Sequence, residues 1–142
     1  MLGQALWDVY GEDLSAHALL ENIHWVVVPV PISREKKRTR GYNQSEEIAR
    51  GFLEHADKNA FILDVHVLRR LSSRKSQTKT QTRRERRKNA KDSFVVSSAE
   101  AAHEKNIVLI DDVVTTGATL TDAARALRCA GARRILCITV AH

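Results

Sequence analysis

Residues 107–119 read IVLIDDVVTTGAT: four branched apolar residues, two adjacent carboxylates, two valines, then threonines around a glycine. Asp111 and Asp112 stand where an apolar strand would end. Thr115, Thr116, Gly117, Ala118 and Thr119 lead from there into a helical pattern. In open α/β sheets ligands collect at the carboxyl ends of the strands. This loop offers backbone N–H groups, three hydroxyls, and a glycine that takes positive φ without penalty. The helix start adds unpaired N–H groups and roughly half a positive charge. Together these make a phosphate site. The carboxylates would repel a phosphate that faced them, so they suit hydroxyls or a cation instead. A ribose 5-phosphate meets both demands, with its phosphate on 115–119 and its hydroxyls donating to Asp111 and Asp112. A Mg²⁺ ion fits the same neighbourhood, because hard cations choose oxygen ligands. An isolated acidic pair would read as a helix-start charge beside a solvated neighbour; its fixed spacing to TTGAT makes the signal specific. Neither the GK[ST] of a Walker A loop nor GxGxxG occurs.

Alternating strand and helix patterns supply the frame that must hold these residues. Residues 5–20 read as a helix, with Ala5, Val9, Ala16, Leu19 and Leu20 apolar and Gly11 as an interruption. Trp25–Val30 is a valine-rich run of the kind buried on both faces, closed by Pro29 and Pro31. Ser45 can cap a helix with Glu46 and Glu47 in its first turn and Ile48, Ala49, Phe52 and Leu53 as its stripe. Strands are expected at Ala60–Leu68, Phe94–Val96, Ile107–Ile110 and Ile135–Val140, and a helix from about Leu120 to Ala130, stopped by Gly131. This order predicts an α/β fold on a parallel β-sheet flanked by helices.

At 142 residues and 43% hydrophobic, the chain suits one domain, 1–142, with a real core. No apolar run approaches the roughly 20 residues needed to span a bilayer. The amino-terminal stretch has no basic n-region, so no membrane role and a cytoplasmic location are expected. Two cysteines, Cys129 and Cys137, exclude a disulfide scaffold or cysteine-rich zinc site, and both are expected to be buried as small hydrophobes. The six histidines show neither HxxxH nor HExxH spacing.

Four stretches carry a family resemblance. IVLIDDVVTTGAT resembles the phosphoribosyl pyrophosphate (PRPP) motif of type I phosphoribosyltransferases. VPVPIS at 28–33, RTRGYNQSEEIAR at 38–50, and the 76–94 stretch with SQT, ER, Asn89 and Phe94 resemble the ComF family of competence-protein-F and gluconate-utilisation-type homologues. That resemblance implies a type I phosphoribosyltransferase fold with a variable helical region at 1–24 and a mobile loop at 69–91. It also implies Mg²⁺-dependent transfer of ribosyl 5-phosphate to a nitrogen nucleophile, with pyrophosphate release. Asp111 and Asp112 would be the catalytic pair, and Thr115–Thr119 the phosphate loop. Ser33, Arg34 and Lys36 would take the pyrophosphate, and Gln77, Arg86 and Asn89 would belong to the mobile loop. Mg²⁺ would be held through PRPP and water, without direct protein ligands. Purine-salvage relatives carry an aspartate where Thr115 stands; a threonine hydroxyl is no general base near neutral pH, which disfavours 6-oxopurine substrates. ComF proteins carry a four-cysteine zinc ribbon ahead of this domain. With none in this sequence, the expectation is a shortened member or a chain that begins at the domain.

The charge is uneven. Net charge is +6, yet Arg69–Lys91 carries eleven Lys/Arg against Glu85, and Arg34–Arg40 carries five against Glu35. Arg34–Arg40 reads as a cationic loop for the leaving pyrophosphate or as a solvated connection. After it, Gly41-Tyr42-Asn43-Gln44 reads as a turn and helix cap, with Asn43 or Ser45 as the capping residue, or as a ligand contact. Residues 72–90 have almost no apolar side chains, which predicts an exposed loop or mobile arm. Arg69–Lys91 reads as a lid over PRPP, as a nucleic-acid arm, or as a solvated polar loop. No aromatic interrupts it for base stacking. A non-catalytic PRPP- or nucleotide-sensing protein linked to DNA uptake is therefore the alternative function. The oligomeric state stays open, with a dimer as one form.

Without the +10 of Arg69–Lys91 the remaining chain carries −4, so this segment should dominate any nucleic-acid binding. Contact with about five duplex phosphates predicts a slope of about −4.5 for log K against log salt. Neutral replacement of Arg83, Arg84, Arg86, Arg87 and Lys88 is expected to flatten that slope while changing PRPP affinity less. Intact DNA affinity with collapsed PRPP affinity would instead make the segment an active-site lid.

Overall fold

The computed structural model describes residues 1–71, 93–113 and 116–141. Helix α1 (Leu2–Glu21) leads to β1 (Trp25–Pro29), α2 (Arg34–Arg40), α3 (Gln44–Leu53) and β2 (Phe61–Leu63). Then follow β3 (Leu68–Arg70), β4 (Phe94–Val96), α4 (Ala99–Ala102), β5 (Asn106–Val113), α5 (Ala118–Cys129) and β6 (Arg134–Ala141). Four strands form a parallel sheet in the order β2-β1-β5-β6, and β3 pairs with β4 in a separate antiparallel ladder. The expected α/β architecture is borne out.

The valine-rich β1 and the apolar start of β5 occupy the centre of the sheet, buried on both faces as expected. Successive side chains of a strand point to opposite faces, and the core divides accordingly. Val27, Val108 and Ile110 pack with Leu6, Leu14, Ile48 and Phe52 of α1 and α3. Val28, Ile107 and Leu109 pack with Ala123, Ala124 and Leu127 of α5 and with Phe94. Trp7, Phe52 and Phe61 add an edge-to-face ring cluster with centroids 5.1–6.3 Å apart.

Several expectations change in three dimensions. Helix α1 runs unbroken through Gly11, over whose backbone the Trp7 ring lies. Its buried stripe is Gly3, Leu6, Gly11, Leu14 and Ala18, whereas Ala5, Val9, Ala16, Leu19 and Leu20 are exposed. The single strand expected over 60–68 is two, β2 and β3, separated by a turn in which Asp64 Oδ1 accepts the His66 N–H at 2.8 Å. Cys129 and Cys137 are exposed rather than buried. Among the described strands β6, which carries Cys137, is an edge strand with one neighbour, and Cys129 ends α5.

Contact between α1 and α3 is backbone on backbone. A Cβ at Gly3 would lie 2.4 Å from the Phe52 nitrogen and 2.5 Å from the Ile48 carbonyl oxygen. At Gly51 it would meet nothing closer than Gly3 Cα at 3.4 Å. Gly3→Ala is therefore expected to lower stability by about 1–3 kcal/mol through overpacking. Gly51→Ala should be neutral or gain up to about 1 kcal/mol of helix propensity. Denaturant midpoints check this, and equal effects at both positions would contradict the packing described.

Candidate functional site

The order β2-β1-β5-β6 means that the chain leaves β1 toward one edge and β5 toward the other. The carboxyl ends of β1 and β5 therefore flank a topological switch point, where open α/β sheets form their binding crevice. There Val30 N–H donates to the Ile110 carbonyl at 2.8 Å, one residue beyond the last β1–β5 pair, Pro29↔Ile110. The predicted acidic pair and the predicted cationic segment follow on either side.

Asp111 belongs to β5 itself, paired with Thr139, and is only 7% exposed. Its Oδ1 accepts the Ser45 hydroxyl at 3.0 Å and the Asp112 N–H at 3.0 Å. Burial pushes the Asp111 carboxyl above its ordinary range; the hydrogen bonds from Ser45 and Asp112 pull it back, and the adjacent Asp112 charge pushes upward again. Asp112 is half-buried, and its Oδ1 accepts the Val113 N–H at 2.9 Å.

Gly117 has φ 71° and stands at the N-cap of α5, a conformation that favours glycine. Having no side chain, Gly117 itself supplies no cap to the helix start. Thr116 is exposed and its Oγ1 takes the Ala118 N–H at 3.4 Å; Thr119 is half-buried in the first turn. Thr115 lies outside the described residues.

Across the crevice, Arg34–Arg40 is a helix, not a loop. Ser33 caps it by accepting the Lys36 N–H at 3.3 Å, and α2 buries no side chain, so Arg34 and Lys36 are exposed. Helix α3 is capped by Asn43, whose Oδ1 accepts the Ser45 N–H at 3.3 Å and whose Nδ2 donates to the Val30 carbonyl at 3.1 Å. Of the two residues expected to cap this helix, Asn43 does so, while Ser45 reaches inward to Asp111. That role was missed, although a signal existed. Ser45, Ile48, Ala49 and Phe52 follow i, i+3, i+4, i+7 spacing, so the serine sits on the apolar stripe and needs a buried partner.

Gln77, Arg86 and Asn89 lie outside the described residues, as does most of 69–91. The described flanks are tied together: Leu71 N–H donates to the Ser93 carbonyl at 2.7 Å, and Ser93 N–H donates to Asp122 Oδ2 at 2.7 Å. Asp122 lies five residues beyond Gly117, about 7.5 Å along the helix axis. The base of the basic segment thus stands beside the start of α5. A hollow of about 600 Å³ lined by Tyr10, His17, Trp25 and Arg134 lies at the amino ends of β1 and β6. It is outside this crevice.

A sequence model of the phosphoribosyl transferase domain matches residues 16–142. The chain belongs to that family. It is 38% identical over 104 residues to competence protein ComFC of Bacillus subtilis (strain 168), covering 73% of this chain and 38% of the relative. It is 32% identical over 114 residues to competence protein F of Haemophilus influenzae, covering 77% and 46%. The resemblance to ComF-type phosphoribosyltransferase homologues therefore holds, and the chain spans less than half the length of these relatives. A solved structure of the allosteric regulatory enzyme of purine biosynthesis superposes with TM-score 0.53 at 19% identity, over 81% of this chain and 21% of that one. The fold is that of a type I phosphoribosyltransferase.

Folding raises the Asp111 carboxyl, so its ionised form costs stability above the folded-state value; that cost is absent below the ordinary value of 3.8. Asp111→Asn keeps an acceptor for Ser45 and removes the charge. Its melting temperature is expected to exceed that of the unsubstituted chain at neutral pH, with the gain disappearing as pH falls below about 3.8. A loss of stability at neutral pH would overturn this account of the buried acid.

Proposed function

We propose that the chain binds PRPP in the crevice between β1 and β5 and transfers its ribosyl 5-phosphate to a nitrogen nucleophile, releasing pyrophosphate. One observation carries this reading: the acidic pair and the glycine-started α5 converge on one side of the switch point, with the cationic α2 on the other. Residues 115–119 take the 5-phosphate, Asp111 and Asp112 take the ribose hydroxyls, and Ser33, Arg34 and Lys36 neutralise the pyrophosphate. A cationic group beside the leaving pyrophosphate stabilises the charge that develops as its bond to C1 breaks.

Two adjacent carboxylates are hard oxygen donors and suit Mg²⁺. Among the described residues, however, no three His, Cys, Asp or Glu side chains cluster as a metal site. Beside an anionic ligand such a pair suits an ion held mainly through PRPP oxygens and water near Asp111 and Asp112, where it would supply charge neutralisation. No helix among the described residues is long and apolar enough to cross a membrane, and a cytoplasmic location belongs to the proposal.

The names of the competence relatives and the +10 of Arg69–Lys91 favour a second reading, a PRPP- or nucleotide-sensing protein associated with nucleic acid. Pyrophosphate release with candidate nucleophiles separates the two. Both require PRPP binding. Each charge-assisted hydrogen bond is worth about 1.5–3 kcal/mol, so replacing both Asp111 and Asp112 by Asn should weaken PRPP at least about tenfold. Inorganic phosphate should bind that variant no worse. Equal weakening of both ligands in titration calorimetry would mean general structural damage and remove the support for a ribose site.

A further inference from the structure

We propose that Asn43 and Ser45 form a brace that presents Asp111 to the ribose, holding one carboxylate oxygen and leaving the other for the ligand. The inference rests on the PRPP reading above. Ser45 is 1% exposed, and its hydroxyl ends on Asp111 Oδ1, the same oxygen that accepts the Asp112 N–H. Oδ2 accepts no hydrogen bond from the described residues, and the Asp112 carboxyl lies beside the Asp111 carboxyl at the same strand end. One oxygen is thus held by the protein, which leaves Oδ2 as the one for the ligand.

The brace is anchored at its far end. Asn43 uses Oδ1 to cap α3 and Nδ2 to hold the Val30 carbonyl, while Val30 N–H holds the Ile110 carbonyl. Ile110, Val30, Asn43, Ser45 and Asp111 therefore close a ring of contacts that ties the start of α3 to the ends of both central strands. Ser33 stands three residues beyond Val30, so the same brace sets the acidic pair against the α2 side of the crevice. A carboxylate held in one rotamer before the ligand arrives loses less entropy when it binds. Through this contact the Asn43–Ser45 element acts on the ribose without touching it.

The test is a double-mutant cycle of Ser45→Ala and Asp111→Asn, read by calorimetric affinity for PRPP with Mg²⁺ and, separately, for inorganic phosphate. Ser45→Ala is expected to weaken PRPP about three- to tenfold, the cost of immobilising one side chain on binding, and to leave phosphate within about twofold. Because Ser45 acts through Asp111, adding Ser45→Ala to Asp111→Asn should weaken PRPP by no more than about a further twofold, the non-additivity of coupled sites. Unchanged PRPP affinity in Ser45→Ala, additive losses, or parallel loss of phosphate would each overturn the brace. Should Ser45→Ala not fold, Asn43→Ser decides: it keeps a capping oxygen, loses the donor to Val30, and should weaken PRPP at least about threefold with phosphate intact. An Asn43→Ser variant with ordinary PRPP affinity would then overturn it. If the unsubstituted chain does not bind PRPP, or Asp111→Asn binds it normally, the ribose reading fails and the brace with it. Loss in Asp111→Asn alone defeats only the brace.

Discussion

Val27, Val28, Val108 and Leu109 have no solvent exposure, and they lie on the two central strands around which the described chain packs. The β1–β5 pairing, continued by Val30 and Ile110, sets how far each strand end projects. Both candidate anion segments begin within five residues of that last rung, one after Val30 and one after Ile110. A one-residue slip would turn every side chain of a strand to the other face. It would move Asp111 away from Ser45 and the valines away from both core layers. Register, core and site are thus one constraint.

Asp111 carries a stability cost in such a frame. A carboxylate at 7% exposure loses hydration, and its neighbour Asp112 adds like charge. Two hydrogen bonds to one oxygen offset part of that, yet burial remains the larger influence and the carboxyl stays raised. An apolar residue would be cheaper there for folding alone. A buried acid of this kind, at a strand end beside a helix start, is where perturbed groups cluster in functional sites.

The cationic side is built differently. Helix α2 buries none of its side chains, so its arginines and lysines are solvated and their charge is reachable. The acidic side is part of a central strand, whereas α2 is a short capped helix on the surface. The tie from Asn43 to Val30 links them.

Much of this is legible in the sequence. Continuous apolar runs marked β1 and β5, and near-3.6 patterns of apolar residues marked α3 and α5, because their burial follows from which side chains avoid water whatever the partner. Asp111, Asp112 and the 116–119 stretch were visible for a related reason: strand-end carboxylates followed by a glycine-centred helix start have local causes. The long amino-terminal helix was legible too, but not the face it buries. Gly3 and Gly11 lie on that face because α3 and the Trp7 ring approach closely, and no pattern in the chain announces a neighbour's backbone. The exposure of Cys137 follows from β6 being an edge strand, which is a matter of sheet order. The hydrogen bond from Ser45 to Asp111 spans 66 residues. Periodicity could place that serine on a buried stripe, but only the packing of α3 over the end of β5 could supply its partner.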